Sequence, residues 1–197
     1  MYVPDAFQLH DRAALLAHAS AYPFATVITR GETSIGVSHL PLLVDVAGNL
    51  LRGHLARKNE QHSHLVAGAE VLAIFHGPHG YVSPSVYADQ AGVPTWNYVV
   101  VHVRGTARLV DEAGLRVILD DTVTRFDRAG WRPEANEQLV SSMLAAIAGF
   151  EIEIHQVEGK WKLSQNRSLA DQAHVVTWLE SGDDQSRALA SLMRGRL

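Results

Sequence analysis

The sequence predicts a mainly β protein of the α+β class, a small antiparallel barrel decorated by helices. Three observations predict it. Strand-like stretches separated by short turns fill most of the chain up to Val110. Helical spacing takes over only after Val110 and again towards the carboxy terminus. Hydrophobic residues make up 47% of the 197, enough for a proper core. This length favours one domain over 1–197, with a helical insertion at about 111–147 and carboxy-terminal helices at about 168–194.

The elements follow in order. Asp11 can cap a helix through Ala13–Ala21 that ends before Pro23. Phe24–Arg30 has the composition of a strand, and Ser34–Val46 of a second one broken at Pro41. Ala47-Gly48-Asn49 turns the chain into a return strand over Leu50–Ala56. Asn59 can cap a short helix from Glu60 to Ala67. Val71–His76 is a short apolar strand. Gly77-Pro78 and Gly80 punctuate it, and β character resumes over Tyr81–Tyr87. Thr95–Val110 is the longest strand candidate. Asp111 can cap a helix over Glu112–Arg128, where Leu115, Leu119, Val123 and Phe126 recur at helical spacing. Another helix runs from Asn136 through Ile147. Gly149–Val157 alternates, with Phe150, Ile152, Ile154 and Gln156 on one face. Ser168 and Asp171 form a capping-box pattern that opens a helix to about Glu180, and Asp183 can cap a last helix through Met193.

Composition excludes several classes of function. There are no cysteines, hence no disulfides, thiolate metal sites or cysteine nucleophiles. A formal net charge of −4 gives no bulk attraction to nucleic acid. The amino terminus lacks the basic and apolar regions of a signal peptide, and no apolar run approaches a membrane span. The expectation is a cytoplasmic protein without membrane contact. There is no P-loop, no GxGxxG and no nucleophile elbow.

Three segments carry chemistry. Gly159–Arg167 (GKWKLSQNR) gathers Lys160, Lys162, Gln165, Asn166 and Arg167 around Trp161. Such a set suits a planar, polar-edged anionic ligand, because buried charges and amides need partners. The alternative is an exposed polar loop before a helix. In Gly53–Asn59 (GHLARKN), Arg57, Lys58 and Asn59 follow a strand end and precede a helix. The arginine fork and the lysine point charge can balance a phosphate of about −2. The alternative is a solvated basic turn, the commoner fate of a charge run. In Val93–Gly105, Trp96 and Tyr98 point one way and Asn97 the other. The aromatics can form an apolar wall, and Asn97 can read a heterocycle edge. The alternative is an amphipathic strand whose aromatics are core.

These segments also carry a resemblance. MYVPDAF at the start, SHLP at Ser38–Pro41, GHLARKN, FHGPHGYVSPSVY at Phe75–Tyr87, VPTWNYVVVHVRG and GKWKLSQNR occur in the order of one family. The chain resembles the PaiB type of FMN-binding negative transcriptional regulator, within the FMN-binding split-barrel group, over nearly its whole length. The resemblance implies a six-stranded antiparallel split β-barrel with peripheral and carboxy-terminal helices, a homodimer, and FMN at the dimer interface. It implies that Ala56-Arg57-Lys58 holds the FMN phosphate, with alanine where related flavoproteins have serine. It places His39 and His102 beside the flavin. For a flavin in the GKWKLSQNR segment, Lys160, Lys162 and Arg167 are candidate cations near the ring, where positive charge raises its potential, and Gln165 and Asn166 are candidate readers of its edge. The chain departs from the family at Val86, where a tryptophan is usual. It departs again at Asn59-Glu60-Gln61-His62, where NPQ and an aromatic are usual.

The other histidines give no metal pattern. His62 and His64 lie two apart on an expected helix and do not face each other, and His76 and His79 flank a turn. The functional expectation is a regulator that represses transcription with flavin as sensor. DNA contact has one late basic cluster to draw on, Arg187, Arg194 and Arg196. The alternative is an FMN-dependent oxidoreductase acting on a small molecule, with no catalytic residue identifiable. A third is a flavin-holding module without chemistry.

Overall fold

The computed structural model describes residues 1–88, 92–131 and 137–196. After a 3-10 turn (Asp5–Phe7) come β1 (Gln8–Leu9), α1 (Arg12–Ala21), β2 (Phe24–Arg30), β3 (Ile35–Pro41), β4 (Leu43–Asp45) and β5 (Leu50–Ala56). Then follow α2 (Gln61–Val66), β6 (Glu70–Val82), a 3-10 turn (Pro84–Val86), β7 (Thr95–Leu109), α3 (Glu112–Phe126) and α4 (Glu137–Leu144). The chain ends with β8 (Ile147–Lys162), α5 (Leu169–Glu180) and α6 (Asp184–Arg194). The class is the expected one, mainly antiparallel β with helices. The hydrogen-bonded order is β3-β2-β6-β7-β8-β5-β4, with β1 added on β8. The sheet has eight strands rather than six. Two of the eight are short, and β3 and β4 are cut apart at buried Leu42, whose N–H donates to Pro23 O at 2.9 Å.

Local chemistry sets the helix starts. Asp111 Oδ1 accepts from Gly114 N at 2.8 Å, Asp183 Oδ1 from Ser186 N at 2.8 Å, and Ser168 Oγ from Asp171 N at 3.1 Å. The Asp171 side chain reaches beyond its own helix. Its carboxylate accepts from Ala88 N at 3.0 Å, and that bond holds its pKa below the ordinary aspartate range. The expected start of a helix at Asn136 lies outside the described residues.

Two strands are longer than expected. Gly77, Pro78 and Gly80 do not interrupt β6. β2 pairs with it only from Val71 to Phe75, so Pro78 lies past the end of that ladder, where a missing N–H costs little. Gly80 admits close neighbours, since a Cβ there would stand 2.6 Å from Leu179 Cδ2. The resumed strand expected over Tyr81–Tyr87 is instead the end of β6 followed by a 3-10 turn, capped by Ser83. β8 runs on to Lys162, so the first part of GKWKLSQNR is strand rather than loop. Phe150, Ile152 and Ile154 are buried as the alternation requires, but Gln156 is exposed.

The chain divides into two compact units. One comprises Met1–Leu15, His76–Val101 and Glu158–Leu197. Its buried residues include Val99, Val101, Val175, Leu179, Leu189 and Met193. The other comprises Leu16–Phe75 and His102–Val157, with Leu16, Leu51, Phe75, Ile118, Phe150 and Ile152 buried. In this second unit, buried Gln61 directs Nε2 at Thr29 Oγ1 (2.9 Å) and at the carbonyls of Val27 and Gly36 (both 3.1 Å). His64 Nδ1 meets the same Thr29 Oγ1 at 2.8 Å. These contacts fasten α2 to β2 and β3.

The same unit makes stability depend on pH. Burial lowers the His18 pKa from 6.5 to about 4, and the ring packs on Tyr22 at 4.6 Å. The unfolded chain protonates this imidazole below 6.5, whereas the folded chain resists until about 4. Stability is therefore expected to fall as pH drops through that window. His54, also lowered by burial, adds to the slope. Melting temperatures at stepped pH should show a shallower acid decline in His18→Leu than in the wild type. Parallel declines would exclude His18 as a source.

Candidate functional site

In the unit that holds Leu16–Phe75, β5 ends at Ala56 and the chain turns as Arg57 N donates to Ala146 O at 2.9 Å. Arg57 and Lys58 are exposed, and neither has an ion pair among the described residues. Two adjacent cations without an ion-pair partner favour an incoming anion. Arg57 also lines a cavity of about 340 Å³ with Asp111, Glu112, Arg116 and Ser141. There the two acids offset the two arginines, with Arg116 and Glu112 paired at 2.9 Å. Lys58 does not line the cavity and supplies the surplus positive charge.

Asn59 is committed to the protein. Its Oδ1 accepts from Gln61 N at 2.9 Å and its Nδ2 donates to Ser38 Oγ at 2.8 Å. This ties the cationic run to β3, where His39 follows Ser38. His39 is exposed, hydrogen-bonded through Nδ1 to Thr26 Oγ1 at 3.2 Å and stacked 6.5 Å from Phe24. His102 is half-buried on β7.

The other expected residues lie in the unit that holds His76–Val101. Trp96 is 53% exposed, with His79 and Tyr81 rings each 6.0 Å away. Asn97 is buried, and its Nδ2 donates to Ser164 Oγ at 2.9 Å. Its Oδ1 has no partner among the described residues, which costs about 1–3 kcal/mol. Lys162 Nζ donates to Trp96 O at 2.9 Å and to Thr95 Oγ1. Burial lowers the Lys162 pKa; Tyr98 opposes this and Lys160 adds to it. Gln165 folds onto its own turn, with Oε1 accepting from Leu163 N at 2.7 Å and Nε2 donating to Trp161 O. The Arg167 guanidinium sits 4.2 Å over the Tyr87 ring. Asn166 is exposed. The structure thus brings Trp96, Asn97, Lys162, Gln165, Asn166 and Arg167 into one unit, and His39, Arg57, Lys58 and Asn59 into the other.

Several structural partners went unread in the sequence. Ser164 adopts the left-handed conformation with φ 61°, which a serine does not advertise. Ser38, Thr95 and Tyr87 hold Asn59, Lys162 and Arg167 through contacts between distant positions. The late basic cluster is largely neutralised, because Arg187 pairs with Asp184 and Arg194 with Glu180. Among the described residues no group of three or more histidines, cysteines and acids converges on a point, and no helix is long and apolar enough to cross a membrane.

The model of the family described as "Putative FMN-binding domain" matches residues 1–156. The chain belongs to this FMN-binding family. Protease synthase and sporulation protein PAI 2 of Bacillus subtilis is 30% identical over 204 residues, covering 100% of this chain and 98% of the relative. An uncharacterized protein of Emericella nidulans, AN0679, is 25% identical and covers 81% of each chain. The solved FAD and heme binding protein of Mycobacterium smegmatis has TM-score 0.64 at 18% identity, covering 84% of this chain and 78% of that one. The flavocytochrome Anf3 of Azotobacter vinelandii has TM-score 0.65 at 18% identity, covering 85% of this chain and 75% of that one. These two structures share the fold.

FMN is the family's cofactor, and the residues present fit it. Exposed Arg57 and Lys58, neither with an ion pair among the described residues, can bind a phosphate of about −2. In the unit that holds His76–Val101, taken by itself, exposed Trp96 offers an indole on which a flat ring can stack, and exposed Asn166 offers an amide.

Proposed function

We propose that this protein is a flavin-responsive, PaiB-like negative regulator of transcription, acting from a single flavin-binding domain as a cytoplasmic homodimer. The likeness to the protease synthase and sporulation protein along the full length of both chains carries this reading. Arg57 and Lys58 take the FMN phosphate. In the unit that holds His76–Val101, Trp96 and Asn166 suit a flavin ring, with Lys162 as a cation of the same unit and Asn97, Gln165 and Arg167 building the segment that bears Asn166. Asn59 and His39 shape the approach to the phosphate run. Bound FMN supplies two-electron and one-electron redox chemistry, which suits a sensor.

A second copy of the chain is supported by an uncovered apolar face. Phe24, Ile35 and Val37 are 65%, 67% and 53% exposed and share one face of β2 and β3 with His39. β3 ends the strand order, so this face lies at a sheet edge. Direct DNA binding has thin support, given the net charge of −4 and the paired arginines on α6.

The test is simple. Protein incubated with FMN and desalted should be yellow, with about one flavin per subunit. The loaded dimer should shift promoter DNA at low salt, and reduction of the flavin should change that affinity. A colourless protein removes the flavin reading; a yellow protein that ignores DNA at any salt removes direct repression. The exposed Trp96–Tyr81–His79 surface favours a second reading, in which a planar substrate stacks beside the flavin of an oxidoreductase. Anaerobic bleaching of the bound flavin by NADH or NADPH supports that reading.

A further inference from the structure

We propose that Asn97 is a positioning residue for the flavin: through Ser164 it fixes the turn that presents Asn166, and with it the end of β8 that carries Lys162. This rests on the assignment of the flavin ring to that segment.

Ser164 is buried, non-glycine and left-handed at φ 61°, a conformation that persists only when its surroundings enforce it. Asn97 enforces it from β7, donating Nδ2–H to Ser164 Oγ at 2.9 Å. Lys162 stitches the same two segments in the reverse sense, donating Nζ–H to Trp96 O at 2.9 Å. The turn closes on itself as Arg167 N donates to Ser164 O at 2.9 Å and Leu163 N to Gln165 Oε1 at 2.7 Å. Asn166 is left exposed at its apex. Asn97 itself is 1% exposed, so its amide does not reach a ligand. Its Oδ1 lacks a partner among the described residues, so an apolar side chain would serve burial better. The amide nitrogen also reaches the weak acceptor Met193 Sδ at 3.8 Å, so its one short hydrogen bond is the one to the turn.

The test uses FMN and the full chain. Asn97→Ala should bind FMN about tenfold more weakly, and at saturation its visible flavin band should move towards that of free FMN. Ser164→Gly removes the hydroxyl and adopts the left-handed conformation freely. In that background Asn97→Ala should add little further loss. Weaker binding, a shifted band and this non-additivity together support the proposal. A fall in melting temperature with unchanged affinity and band shape overturns it, because the role is then structural only. Equal losses in both backgrounds also overturn it, because Asn97 then does not act through Ser164. If Asn97→Ala does not fold, Ser164→Ala removes the same bond and must show the weaker binding and shifted band, or the proposal fails. A wild type that binds no FMN refutes the flavin assignment itself, and the proposal with it.

Discussion

Arg57→Ala is expected to weaken FMN binding by about 1.5–3 kcal/mol, roughly 10- to 150-fold in Kd. The guanidinium is exposed and has no ion pair among the described residues, so its removal strips a ligand contact without orphaning a protein group. Folding stability should therefore stay within about 0.5 kcal/mol of the wild type. Riboflavin supplies the control, since it has the ring and ribityl chain but no phosphate. The variant should lose affinity for FMN and keep its affinity for riboflavin, narrowing the preference between them. Arg57→Lys should fall between, because the charge remains and the fork is lost. Lys58→Ala should follow the same pattern with a smaller loss. Titration of flavin fluorescence gives all these constants. Equal losses for both flavins would mean that Arg57 supports the site rather than binding phosphate. No loss for either would remove it from the site.

What could be read from the sequence was mostly local. Asp111, Ser168 and Asp183 each bond an amide three residues on, and such caps are written in neighbouring positions. Phe24–Arg30 and Leu50–Ala56 are strands with the bounds their composition suggests. β6 was harder, because Pro78 is harmless only where β2 has ended, and no local signal marks that end. β8 hid its last residues for a related reason. Lys160 and Gly159 pair with Gln8 and Leu9, so the composition of a polar loop is held in a ladder by the far end of the chain.

The candidate site follows the same division. The cations stand out in the sequence, and Arg57 and Lys58 are exposed with no ion pair among the described residues. The amides do not, because an amide chooses among partners that only the fold brings near. Asn97 and Ser164 lie 67 positions apart, and Asn59 and Ser38 lie 21 apart. Asn59, Asn97 and Gln165 all have protein partners, so three groups with the look of ligand readers act as braces.

Gly105→Ala tests such a distant constraint with a difference of sign. By intrinsic preference, alanine should improve a strand position by about 0.5–1 kcal/mol over glycine. The structure demands the opposite. A Cβ on Gly105 in β7 would collide with the backbone carbonyl oxygen of Glu153 in β8 and stand 2.8 Å from Ile152 Cγ2. Backbone cannot swing aside as a flexible side chain can. Nor can β8 retreat, because Glu153 and Ile152 are paired on its other side with Leu50 and Leu51 of β5. The strain must open the β7–β8 ladder or displace buried Ile152, at a cost of about 3 kcal/mol. In a chain of 197 residues that corresponds to a melting temperature lower by about 6–12 °C. Gly195→Ala is the control, since its nearest neighbour would lie 3.8 Å away, and it should change little. If calorimetry finds Gly105→Ala as stable as the wild type, the close approach of β7 to β8 at this point is wrong, and propensity governs the position after all.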